Sequence, residues 1–166
     1  QGLVTVRFNF PYAEEGRTAP DHDEVLEAAF RLVLDYVGEL EEFRGLEMFV
    51  GGKSLGARLA AQLVAEEVGA SGLVFLGYPL HAPGKPENLR DQPLYQLPCP
   101  VLFVEGSRDP FCRLDRLGQV LSHLPVRSDL HVLPGLGHSY ETSGAGASPE
   151  VMEEITRVIV GWLNSL

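Results

Sequence analysis

The chain has 166 residues, 45% of them hydrophobic and 22% charged, which is enough apolar material for one compact core and a length that fits one domain better than two. A net charge of −10 opposes broad attraction to phosphate backbones and anionic membranes, which need clustered Lys and Arg, and so argues against nucleic-acid and membrane partners. No apolar run approaches the roughly 20 residues that span a bilayer, the N-terminus lacks the order of a signal peptide, and two cysteines, Cys99 and Cys112, are weak grounds for a disulfide framework; a single domain over residues 1–166 in a reducing cytoplasm is expected.

Leu3 to Phe8 opens the chain as a strand-like run. Because Gln1 rather than Met comes first and that run begins almost at once, residues before Gln1 are expected, and the domain is read as incomplete at its N-terminus. Asp21 to Leu40 follows as a helix, with Val25, Ala28, Ala29, Leu32, Val33 and Tyr36 at helical spacing as its inward stripe. Leu46 to Val50 is the next strand, and a helix from about Leu55 to Val68 should stop near Gly69, a residue that readily takes the left-handed C-terminal position. Leu73 to Leu76 and Val101 to Val104 are further short apolar strands. Between them the stretch from Tyr78 to Pro100 carries six prolines after Tyr78 and reads as one long irregular connection, of the kind that often forms a functional rim. Pro110 to Leu124 reads as a helix and Leu130 to Leu133 as the last strand. Ser148 is a good cap for a final helix, with Pro149 at its first position and Val151, Ile155, Val158, Ile159 and Leu163 on one face. Strands alternating with helices imply an α/β fold, a mostly parallel sheet with helices on both faces.

The chemistry is concentrated where the strand ending at Val50 runs into Gly51-Gly52-Lys53-Ser54-Leu55-Gly56 and then into a helix. This is G-x-S-x-G in a strand-turn-helix context, the setting of a nucleophile elbow. The turn is so sharp that side chains at its flanks would collide with the strand and helix, so both Gly52 and Gly56 are expected to be steric requirements. Ser54 would stand above the C-terminal edge of the sheet, with the helix N-terminus and the Leu55 N–H facing a developing oxyanion.

A serine needs a general base held by a carboxylate, and two later strand ends supply candidates in the chain order Ser, acid, His. Val101 to Val104 leads into Glu105-Gly106-Ser107-Arg108-Asp109-Pro110-Phe111, placing Asp109 on the loop after a buried strand. Leu130 to Leu133 leads into Pro134-Gly135-Leu136-Gly137-His138-Ser139. In a doubly wound sheet these loops share one crevice with Ser54. Asp109 has an alternative reading as a helix cap, and Asp115, inside that helix, is a weaker acid. His22, His81, His123 and His131 lack such placement, with His81 a rim contact at most. Phe10, Tyr12, Tyr78, Pro79, Leu80 and Phe111 fall on loops near the crevice and suit an acyl pocket, with core packing an equal reading for each aromatic. Lys53 and Arg58 suit an anionic substrate, or pair with surface acids.

Gly52-Lys53-Ser54 also resembles the end of a P-loop, but G-x-x-x-x-G-K-S needs glycine where Glu47 stands. No zinc-ligand spacing is present, so neither a metal nor a cofactor is expected.

Val6 to Tyr12, Gly51 to Arg58, Gly77 to His81 with Pro83 to Pro86, and Gly106 to Phe111 together resemble the small dienelactone-hydrolase-like α/β-hydrolases, which are also similar to the hydrolase-like domain of a chromatin-complex subunit. The resemblance covers nearly the whole chain and implies the α/β-hydrolase fold, with Ser54 as nucleophile, Asp109 as acid and His138 as base. It also implies a departure: the strand at Arg7 to Pro11 resembles the fourth of that fold, and an earlier strand carrying a His-Gly-rich oxyanion loop, which lies between it and the elbow strand, is absent. Either that element precedes Gln1 or the first strand has moved beside the elbow strand, bringing Asn9 to Tyr12 to the site. The resemblance implies a hydrolase and is not specific for substrate; the Ser-His-Asp constellation leads to a serine hydrolase of small soluble esters or thioesters. The alternative is a non-catalytic hydrolase-fold protein that binds a partner or small ligand. A small molecule is the expected partner, and a homodimer is an open assembly.

Overall fold

The computed structural model describes residues 2–66, 68–142 and 146–166. The chain divides into two compact units, Gln1–Glu47 and Met48–Leu166.

The first unit contains α1 (Pro11–Glu14), α2 (Asp23–Glu39) and a short 3₁₀ turn at Glu41–Phe43. The strand expected at Leu3–Phe8 does not form, and Leu3, Val4 and Val6 are exposed. Strand preference is a preference for a pleated, half-buried surface, and among the described residues no strand pairs with this run. What orders its end is aromatic packing: Phe8 meets Phe30 edge-on at 5.1 Å and Phe10 meets the same ring at 6.1 Å. Helix α2 forms where the sequence places it but turns a different face inward. Leu26 and Phe30 are buried, whereas Val25, Leu32 and Tyr36 are exposed. The helix is apolar on both sides, so periodicity alone selects neither.

The second unit is a parallel sheet of β1 (Phe49–Lys53), β2 (Gly72–Leu76), β3 (Val101–Gly106) and β4 (Ser128–Leu133), in the order β1-β2-β3-β4. Among the described residues β1 pairs only with β2, so no rearranged first strand lies beside the elbow strand. Strand β3 is buried along its whole length, as a central parallel strand covered on both faces must be. Helix α3 (Leu55–Glu66) connects β1 to β2 and α4 (Leu114–Leu121) connects β3 to β4. Both crossovers step the same way across the sheet, and right-handed connection therefore puts both helices on one face. The opposite face is covered by α5 (Pro149–Leu163), which packs Ile155 and Trp162 against Leu102, Val104 and Leu133. Its start follows the sequence closely: Pro149 is the first residue and the Ser148 hydroxyl accepts the Val151 N–H. Helix α3 ends at Glu66, and Gly69 does not adopt the left-handed conformation expected of it. No described helix is long and apolar enough to cross a membrane. Both cysteines are buried and free.

Candidate active site

The C-terminal ends of β1, β3 and β4 bring three loops together. Ser54 follows β1 directly, with its N–H donating to the Leu76 carbonyl at 2.9 Å and its backbone at φ 53°. A left-handed serine is strained, and what holds it is the close approach of strand and helix. A Cβ on Gly52 would fall on the Gly56 carbonyl group and within 2.7 Å of the Ala57 nitrogen, so only glycine fits at Gly52. Gly56 is different: a Cβ there meets open space. The steric requirement expected at both flanks of the serine thus falls on Gly52 alone, because it is Gly52 that points into the helix backbone.

Ser54 Oγ–H donates to His138 Nε2 at 2.8 Å, and His138 Nδ1–H donates to Asp109 Oδ2 at 2.6 Å. The second oxygen of Asp109 accepts the Phe111 N–H at 2.7 Å, so the carboxylate is fixed by its own loop. It does not cap α4, whose N-terminal flank is Arg113. Asp115 is exposed and paired with Arg113, away from this relay. Among the described residues no acceptor takes the Leu55 N–H, which lies in the first turn of α3 where amides have no partner within the helix.

The imidazole is held from several sides. Phe111 packs against it with ring centroids 4.5 Å apart. Lys53 Nζ donates to the His138 carbonyl at 3.1 Å and lies 5.7 Å over the Tyr140 ring. The Lys53 ammonium, which burial pushes below the usual lysine range against the pull of Asp109, therefore bears on the histidine loop. Tyr140, itself left-handed at φ 62°, donates its hydroxyl to the Val104 carbonyl at 2.9 Å.

Tyr78 and His81 are not where the sequence suggested. Tyr78 is fully buried between Phe75 and Phe103 and donates its hydroxyl to the Arg90 carbonyl at 2.8 Å, so its ring has no surface to offer a substrate. His81 is buried rather than at a rim. Its Nε2 accepts the Arg113 N–H at 3.0 Å and its Nδ1–H donates to the Ala82 carbonyl, tying the proline-rich connection to the Asp109 loop. Phe10 and Tyr12 belong to the first unit, where their rings stack 6.4 Å apart. Among the described residues no cluster of His, Cys, Asp and Glu is arranged to hold a metal ion.

A further neighbour of the site is a buried carboxyl that no motif marks. Glu105 stands at the end of β3 with no exposed surface. Burial, with Asp109 adding to it, raises its carboxyl well above the usual range against the opposing hydrogen bond from Tyr78. The signal for it is a charged residue continuing the all-apolar run Val101 to Val104.

Residues 1–164 match the family model of the alpha/beta hydrolase domain. The chain belongs to the α/β-hydrolase family. The hydrolase fold is shared with solved structures at low identity. A protein of unknown function from Agrobacterium tumefaciens aligns at 21% identity with a TM-score of 0.74, over 96% of this chain and 70% of that one. Dienelactone hydrolase from Anabaena variabilis aligns at 17% identity with a TM-score of 0.67, over 87% of this chain. Est1E from Butyrivibrio proteoclasticus, a structure with ferulic acid bound, aligns at 15% identity with a TM-score of 0.68, over 87% of this chain and 69% of that one. This chain spans 61% of the length of the Anabaena protein.

Proposed function

We propose that this protein is a serine hydrolase that cleaves small soluble esters or thioesters in the cytoplasm. The observation that supports it is the unbroken run of hydrogen bonds from Asp109 through His138 to Ser54, at 2.6 and 2.8 Å. In this reading Ser54 Oγ attacks the carbonyl carbon while its proton passes to His138 Nε2. Asp109 holds the imidazole in the tautomer that accepts this proton and stabilises the imidazolium that results. The tetrahedral oxyanion accepts the Leu55 N–H at the start of α3, where the unpaired amides and the helix dipole favour negative charge. His138 then protonates the leaving alcohol or thiol. A water, deprotonated by the same nitrogen, releases the acid and restores Ser54. Phe111, packed on the imidazole, would border the acyl group. Dienelactone hydrolase and Est1E, whose structure holds ferulic acid, share this fold.

The test is reaction of the purified protein with a fluorophosphonate probe, followed by mass-spectrometric site mapping. Modification at Ser54 that disappears in Ser54→Ala is expected. A folded protein that leaves Ser54 unmodified would overturn the reading.

A further inference from the structure

Glu105 is a buried carboxyl that the reaction above does not use. Its Oε1 accepts the Tyr78 N–H at 2.7 Å. The preceding N–H, of Gly77, donates to the Val104 carbonyl at 2.9 Å, so the Gly77–Tyr78 turn is fastened to the end of β3 by two bonds, one from the backbone and one from this side chain. Gly77 is left-handed at φ 61°, and a Cβ placed on it would lie 3.2 Å from the His138 carbonyl oxygen and 3.4 Å from Cε1 and Nδ1 of the ring. The turn is thus the surface on which the imidazole rests, on the edge that carries Nδ1.

We propose that Glu105 is a positioning residue for His138, acting through the Gly77–Tyr78 turn that its carboxyl pins to the end of β3. The inference rests on the assignment of His138 as the base that activates Ser54. If the pin is lost, the turn is free to shift, and the imidazole loses the support that keeps Nε2 aimed at the serine. Small misplacements of this kind slow the chemical step far more than they weaken binding.

Oε1 can accept the Tyr78 N–H in either protonation state, and burial favours the neutral carboxyl. The titratable groups that bear on it are Asp109, Lys53 and Cys112, with Tyr140 and Tyr78 beside it. Oε2 has no hydrogen-bond partner of good geometry among the described residues, and the Cys112 thiol, a weak donor, is the side chain that interacts with the carboxyl. A full charge on Oε2 would be buried beside the Asp109 carboxylate with too little to offset it. A glutamine should therefore hold the Gly77–Tyr78 turn as Glu105 does. Its amide oxygen can accept the Tyr78 N–H, and the group stays neutral.

The experiment is the second-order rate of fluorophosphonate labelling of Ser54 as a function of pH, measured for the unaltered protein, Glu105→Gln, Glu105→Met and Glu105→Asp. Thermal melts confirm which variants are folded at the assay temperature. Labelling needs no knowledge of the natural substrate, and its rate reports how well Ser54 is activated. Glu105→Gln should label within about twofold of the unaltered protein with the same midpoint, and Glu105→Met should label about tenfold more slowly or worse while still folded. If Glu105→Met does not fold, Glu105→Asp, which is one methylene too short to reach Tyr78, decides by the same criterion. A folded Met or Asp variant that labels as fast as the unaltered protein overturns the proposal. So does a Glu105→Gln protein that labels as slowly as Glu105→Met, because its amide oxygen keeps the acceptor for the Tyr78 N–H. Failure of the unaltered protein to label at all would instead sink the assignment of Ser54 and His138.

Discussion

His138 Nε2 lies 2.8 Å from Ser54 Oγ although 84 positions separate the two residues in the chain. The contact exists because β1 and β4, with β2 and β3 between them in the sheet, end on the same edge. If it is the proton path, His138→Ala should lower the turnover of a p-nitrophenyl ester by about 10⁴-fold to 10⁶-fold. Asp109→Asn should lower it by about 10⁴-fold, because the amide no longer selects the accepting tautomer. Steady-state kinetics with each variant check this, and an Asp109→Asn protein within tenfold of the unaltered rate would sink the relay.

The two glycines flanking Ser54 should behave oppositely. Gly52→Ala drives a methyl group into the Gly56 backbone, an overpacking that should cost about 3 kcal/mol or more and displace the serine. Gly56→Ala places its methyl in open space on a helix, where replacing glycine should add about 0.5–1 kcal/mol of stability. Urea unfolding of both variants measures the difference. A Gly56→Ala protein that is strongly destabilised would show that the flank is tighter than its geometry.

The elements that bear on chemistry were legible because their signals are local. A strand end, a glycine-defined turn and a helix start sit within a few residues of Ser54, and Asp109 and His138 each follow an apolar run directly. Other features depend on what a residue meets far along the chain. Helix α2 is apolar on two faces, and only Phe8 and Phe10 packing on Phe30 shows which is inward. Leu3–Phe8 has the composition of a strand, yet pairing requires a neighbour that composition cannot supply. Tyr78 and His81 looked like rim residues because they open a proline-rich stretch, but that stretch folds back so that Arg90 and Arg113 enclose them. Glu105 is the converse case: its charge at the end of a buried strand was visible, and its role emerges only from the turn it holds.

Tyr78 offers a test of that correction. Tyr78→Phe removes a buried hydroxyl bonded to the Arg90 carbonyl and should cost about 1 kcal/mol of stability. Because the ring lies in the core between Phe75 and Phe103, KM for any ester substrate should be unchanged. Denaturant melts and steady-state kinetics on one preparation separate the two effects, and a raised KM at unchanged stability would return Tyr78 to the substrate pocket.

Glu105 should leave a mark on the pH dependence of folding. Burial raises its carboxyl well above the ordinary value of 4.5, so between that value and its raised pKa the folded chain binds a proton that the unfolded chain has released. Stability from this group is complete below 4.5 and declines as pH climbs towards the folded-state value, by up to about 1.4 kcal/mol per pH unit. Glu105→Gln has no proton to bind, so its advantage over the unaltered protein should widen steadily from about pH 5 upward. Urea unfolding of the two proteins across that range measures the gap. Curves that stay parallel would mean that Glu105 is ionised in the folded state and that a carboxylate, not a neutral carboxyl, accepts the Tyr78 N–H beneath His138.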